Sequence, residues 1–209
     1  MRAGLMRTTF AALACALAAA CQGPISPSAA VTRSLSLGAG DISVAGPSGY
    51  CVDRRASRET GSGAFVLFGS CAALAGSPLA GQPEKPALLT ASVAPALSGE
   101  GLETRLDELA AFFRSDAGRA ALSRDGRAGS VTIAAMERAR GVLYIRLVDR
   151  SAAAQKVEPG YWRAAFAMRG RLVTLSAMSL ADRPVADRDL RRTLDRFIAR
   201  IRRDNGGAA

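Results

Sequence analysis

Histidine is absent from all 209 residues, and of the 28 basic residues only two are lysines, Lys85 and Lys156. Without an imidazole the chain lacks the commonest general base and the usual partner of serine and cysteine nucleophiles. It also lacks the ligand on which most zinc, copper and iron sites are built. Lys85 sits between prolines and Lys156 in a polar loop, and neither setting is apolar enough to bring an ammonium pKa down toward neutrality. A Ser-Lys catalytic pair therefore has no support. Two thiolates, Cys51 and Cys71, are too few for a zinc shell, so the sequence predicts no metal, no cofactor and no enzymatic activity. Gly38-x-Gly40 lacks the third glycine of a dinucleotide loop and precedes a strand instead of joining strand to helix. Glu103, Asp107 and Glu108 surround Arg105 and read as a solvated helix face. No apolar run reaches the about 20 residues a membrane span needs; the longest, at 10–20, has eleven.

That run matters for another reason. It follows MRAGLMRTT, which carries Arg2 and Arg7 and no acid, and it ends in small residues before a cysteine, "ALAAACQG". A basic start, a short greasy middle and small residues at the exit make a secretory signal over 1–20. The same stretch resembles the bacterial lipoprotein signal, in which the cysteine, here Cys21, receives a diacylglycerol. Leu17 stands one place earlier than that family prefers, and Ala18-x-Ala20 also satisfies ordinary signal cleavage; both routes cut the same bond. Cysteine parity fits lipidation. Cys15 leaves with the signal and Cys21 takes the lipid. Cys51 and Cys71 remain, either as a disulfide suited to an oxidising compartment or as two small buried thiols.

Beyond residue 20 the chain keeps 26 basic against 18 acidic residues, a net charge of +8 compared with +10 for the whole. Export removes it from nucleic acid. The basic balance then points to anionic lipid, lipopolysaccharide or an acidic partner, or simply to a solvated basic surface.

The segment 21–33, polar and proline-containing, reads as a tether. A single domain over 34–205 follows. Leu35/Leu37 and Ile42/Val44 predict two short strands, the second ending near Cys51; RRASRETGSG reads as a charged loop, and AFVLFGSCAAL as a buried strand returning Cys71 to Cys51. In ALLTASV, Leu89, Ala91 and Val93 share a face. Leu102, Leu106, Leu109 and Phe113 make a helical stripe, and SDAGRAALSRDG a shorter turn after it. Two hairpins come next, VTIAAMER with GVLYIRLVD around Ala139-Arg140 and YWRAAFAM with RLVTLSAMS around Arg169-Gly170. Leu190, Leu194, Phe197, Ile198 and Ile201 give a closing amphipathic helix. Strands grouped around two long helices instead of alternating with them predict an α+β fold, an antiparallel sheet of hairpins covered by a mid-chain helix and a C-terminal helix.

This order, with Gly49-Tyr50 before the first long strand, the helix from Leu102, successive hairpins and a terminal helix around Phe197, resembles the PsbP-like fold of a photosystem extrinsic protein and of small envelope lipoproteins of the DcrB type. More narrowly, "GPSGYCVD", "GAFVLFGSCAAL" and "YWRAAFAMRGRLVTLSAMS" resemble a family of alphaproteobacterial envelope lipoproteins whose members are sometimes labelled cation-transport ATPases. The residues give that label nothing: there is no Asp-Lys-Thr-Gly phosphorylation site and no Gly-Lys-Ser/Thr phosphate loop. The resemblance implies a binding role on the periplasmic side of the envelope. Gln22, where an Asp would retain an enterobacterial lipoprotein in the inner membrane, favours the outer membrane.

The expected function is a non-catalytic lipoprotein module that binds an envelope protein, held at the membrane by the Cys21 lipid. The alternative is a periplasmic carrier of a small hydrophobic ligand or lipid. The candidate contact surface is Tyr161, Trp162 and Arg163, an aromatic cluster with the single Trp, together with Arg192, Arg196, Arg200 and Arg203 on the last helix.

Overall fold

The computed structural model describes residues 31–38, 40–96, 105–151 and 156–206. The expected signal 1–20, Cys21 and most of the expected tether lie outside the described residues, as does Leu102. Among the described residues, nine strands and four α-helices follow in the order β1 (Ser34–Leu37), β2 (Ile42–Ala45), β3 (Tyr50–Thr60), β4 (Gly63–Ser70), α1 (Cys71–Ala75), β5 (Ala87–Val93), α2 (Leu106–Arg114), α3 (Asp116–Leu122), β6 (Val131–Ala139), β7 (Val142–Asp149), β8 (Val157–Met168), β9 (Arg171–Leu180) and α4 (Asp187–Asp204). Strands β3 to β9 form one antiparallel sheet ordered β3-β4-β5-β9-β8-β7-β6; β1 and β2 pair as a separate hairpin. The chain is thus α+β with a large antiparallel sheet.

Period-two alternation divides the sheet's side chains between two cores. In β7, Val142 and Tyr144 join the cluster under α4, whereas Leu143, Ile145 and Leu147 join the cluster under α2 and α3. Burial on both sides is why this strand reads as a nearly unbroken apolar run. β5 shows the same alternation, its Ala87, Leu89, Ala91 and Val93 buried and the residues between them half-exposed. On the outer layer, α4 buries Leu190, Leu194, Phe197, Ile198 and Ile201, the stripe its periodicity predicts.

The structure differs from expectation in five places. Residues 54–60, expected as loop, belong to β3. An edge strand has solvent on one side of its ladder, so Arg54, Arg55 and Arg58 are tolerated there and hide the strand period. The register shifts between Asp53 and Arg58, and the bulge is held by Asp53, whose carboxylate accepts from the Arg55 and Ala56 amides. The second strand stops at Ala45 instead of near Cys51, because residues 46–49 turn sharply. Gly49 there has φ +83°, and a Cβ would stand 2.4 Å from the Gln82 and Pro83 backbone. Cys71 opens α1 and does not end a strand. The first hairpin turns at Arg140-Gly141, both at positive φ, one residue later than expected; Arg169-Gly170 turns as expected. Finally, SDAGRAALSRDG holds the two-turn helix α3, capped by Ser115, whose Oγ accepts from the Gly118 amide at 3.1 Å. Gly118 acts by close packing and not by breaking the helix: a Cβ would lie 1.9 Å from the Phe112 carbonyl oxygen.

Cys51 and Cys71 are joined, their Cα atoms 4.8 Å apart and both side chains fully buried. The bridge ties the start of β3 to the start of α1. None of the described helices is long and apolar enough to cross a membrane.

Candidate functional site

Tyr161, Trp162 and Arg163 do not form a surface. Consecutive residues of a strand point to opposite faces, and in β8 both faces are covered. Tyr161 is fully buried under α3, its hydroxyl donating to the Leu122 carbonyl at 3.4 Å, while Trp162 is buried on the α4 side. Arg163 lies half-buried beside Tyr161 and donates from Nε to Ser176 Oγ at 3.1 Å. The expected contact cluster is corrected accordingly: its aromatics are core. An arginine does stack on Trp162, but it is Arg191, whose guanidinium carbon is 4.9 Å from that ring and 3.6 Å from the ring of Tyr144. Arg191 also pairs with Glu137 and Asp195, so this arrangement clamps α4 to the sheet. Burial, with the Asp195 carboxylate adding to it, raises the Tyr144 phenol above its ordinary value.

The helix arginines have a different fate. Arg192, Arg196, Arg200 and Arg203 recur at three- and four-residue spacing along one side of α4, opposite its buried stripe. Arg192 turns to Asp189 (3.0 Å) near the helix start. The other three line a groove. A cavity of about 410 Å³ runs between α4 and the loop at 46–50, with Arg33, Arg196, Arg200 and Arg203 on its walls and Ser48 exposed at its edge. A second cavity of about 390 Å³ continues it toward the loop at 82–85, adding Glu84 and Lys85 and sharing Pro47, Ser48, Tyr50 and Arg196.

Several anchors hold these walls. Asn205 caps α4 and pins it to β2: its Nδ2 donates to the Ser43 and Ile201 carbonyls, each at 2.7 Å, and its Oδ1 accepts from the Ser43 amide at 2.9 Å. Arg169 adds a donated bond to the Asn205 carbonyl at 3.0 Å. The loop walls are joined by Tyr50, whose hydroxyl donates to the Lys85 carbonyl at 2.6 Å.

Burial pushes the Tyr50 phenol up to about 12 from an ordinary 10, a backbone hydrogen bond from Ala87 working against the rise. A raised folded-state pKa means that the folded chain holds the phenolic proton more tightly than the unfolded chain does. The stabilisation is therefore complete below pH 10 and is lost as pH rises from about 10 through about 12. Alkaline unfolding followed by circular dichroism should thus begin above pH 10, with a higher midpoint in Tyr50→Phe; an unchanged midpoint would acquit Tyr50.

Electrostatically the groove is a basic trough. Arg196 meets Glu84 at 2.8 Å and Arg200 meets Asp204 at 2.7 Å; Arg203 has no ion pair among the described residues. Exposed pairs of this kind contribute at most about 1 kcal/mol and exchange readily. Chemically the site offers guanidinium donors in forks that match phosphate or carboxylate oxygens. Among the described residues no group of three or more Cys, Asp and Glu gathers as a metal site. Periodicity alone pointed to Arg196, Arg200 and Arg203. Arg33, Glu84 and the two loop walls come from distant parts of the chain and leave no local signal, although Asn205 before a Gly pair marks a helix end.

Compared with family models, curated proteins and solved structures, the chain matches none.

Proposed function

We propose that the protein is a non-catalytic, lipid-anchored module on the periplasmic side of the cell envelope, which binds an envelope component through the arginine groove beside α4. In this reading the α+β fold is of the PsbP-like class, Cys21 carries the lipid, and the outer membrane is the favoured address. The observation that carries it is placement. Arg33, on the groove wall, is the last residue of the segment read as the tether, so in this reading the groove opens where the tether arrives.

The carrier reading is less well supported. It needs an apolar slot between the sheet and the terminal helix, and that space is packed with side chains. Phe197 meets Phe68 edge to face with ring centroids 5.1 Å apart, among Trp162, Leu194 and Ile201.

The test is the intact mass of the protein extracted from membranes, with and without reduction and alkylation, followed by in-cell crosslinking. The expected result is the chain from Cys21 plus an acylated diacylglycerol, with two further alkylations only after reduction and denaturation. A bare chain in the soluble fraction with Cys21 open to alkylation would remove the anchor from the reading. Crosslinking that enriches no envelope component over a control lipoprotein would remove the module.

A further inference from the structure

We infer that the ligand of the arginine groove is the phosphate headgroup of anionic phospholipid in the membrane that holds the tether. This deepens the anchored-module reading and rests on it for the distance to the bilayer.

The charge is sufficient and is concentrated. Arg33, Arg196, Arg200, Arg203 and Lys85 stand against Glu84 and Asp204, a local excess of three positive charges. The carbonyl end of α4 contributes only about half a negative charge, too little to cancel that excess. The chemistry is suitable as well. Guanidinium forks match phosphate oxygens two at a time, and every strong cation of the 410 Å³ cavity is an arginine. Glu84 and Asp204 hold Arg196 and Arg200 in exposed pairs, which an incoming phosphate can replace without uncovering a buried charge. The Tyr50 hydroxyl, committed to Lys85, is a fixed wall and not a ligand donor.

Shape and reach select the lipid over a soluble anion. The cations stand exposed or half-exposed on the walls of an open trough and not as buried donors in an enclosed pocket, which suits phosphates fixed on a surface. Arg33 lies twelve positions after Cys21. A chain of that length extends to about 40 Å at most. In the anchored reading the groove is therefore within reach of the bilayer, over a range that exceeds the Debye length of about 8 Å. Contact by Arg196, Arg200 and Arg203 would convert a loosely tethered domain into one seated on the membrane, since the second attachment becomes intramolecular.

The test uses the full Cys21→Ser chain, exported without a lipid, in three forms: otherwise unchanged, with Arg196→Glu, Arg200→Glu and Arg203→Glu, and with Arg114→Glu, Arg127→Glu and Arg150→Glu as an equal charge change at exposed positions outside the groove. Each is sedimented with vesicles of phosphatidylcholine alone or of equal parts phosphatidylcholine and phosphatidylglycerol. The unchanged chain should bind the anionic vesicles at least about tenfold more tightly than the neutral ones, a gain that shrinks with salt. The groove variant should lose that gain while its circular dichroism spectrum remains that of the folded chain, and the control variant should keep most of it. Equal loss in both variants would reduce the effect to net charge and overturn the proposal. So would equal binding to both vesicles, full competition by inorganic phosphate, or loss of a crosslinked acidic protein with vesicle binding unchanged. Because all three chains lack the lipid, these results stand apart from the mass measurement that tests the anchor.

Discussion

Replacing Phe197 by alanine is expected to cost about 3–5 kcal/mol, a large part of the about 5–15 kcal/mol by which a domain is usually stable. Phe197 is fully buried in the middle of the α4 stripe and sits edge to face on Phe68. Its loss removes transfer free energy and the aromatic pair. It also opens a cavity between two rigid layers, α4 above and β4 below, that cannot collapse independently. The helix is held along its length by Leu190, Leu194 and Ile201 and at its end by Asn205, so it cannot tilt to fill the space. Phe112→Ala is the comparison, since that ring is 44% exposed and should cost less than about 1 kcal/mol. Urea denaturation of both variants reads the difference. A loss below about 1 kcal/mol for Phe197→Ala would mean that α4 is not tightly seated on the sheet. The groove's arginines would then lack a fixed frame.

Which elements could be read from the residues follows from how local their causes are. β5 and α4 were legible because each buries a regular stripe, and the period survives in the sequence as Leu89, Ala91 and Val93 or as Leu190, Leu194 and Ile201. The second hairpin was legible because Arg169-Gly170 supplies its own turn chemistry. The outer half of β3 was hidden, since an edge strand with a bulge at Asp53 has no continuous buried face and its arginines resemble a loop. Tyr161 and Trp162 mislead for a different reason. Adjacent aromatics look like a cluster along the chain, but in a strand they diverge, and with helices on both sides of β8 each becomes core. Of the candidate site, the helical half was legible and the rest was not. The loops at 46–50 and 82–85 meet α4 only because the sheet folds them together, and nothing in their own residues announces it.

Removing the Cys51–Cys71 bridge should destabilise the fold by about 3 kcal/mol. The cross-link closes a loop of 20 residues' separation, and on the chain-entropy account that constraint on the unfolded ensemble is worth this much. The packing adds to it. Both sulfurs are fully buried, so Cys51→Ala with Cys71→Ala also leaves a small void where β3, α1 and the turn at 46–49 converge. The Cys71 amide donates to the Gly49 carbonyl at 2.9 Å, and that bond should persist without the bridge, making the variant folded but weaker. For a domain of this size, about 3 kcal/mol corresponds to a thermal midpoint lower by roughly 6–12 °C. The native bridge, with no exposed sulfur, should also resist a mild thiol reductant until the protein is warmed or given denaturant. Differential scanning calorimetry should show both the double-alanine variant and the reduced wild type weakened, the double-alanine variant by somewhat more because of its void. A midpoint shift of less than about 2 °C would show that β3 and β4, already hydrogen-bonded from Tyr50 to Asp53, hold the two cysteines together without covalent help. The loop at 46–50 would then owe its position to Gly49 and Tyr50 alone, and the groove would survive in a reducing compartment.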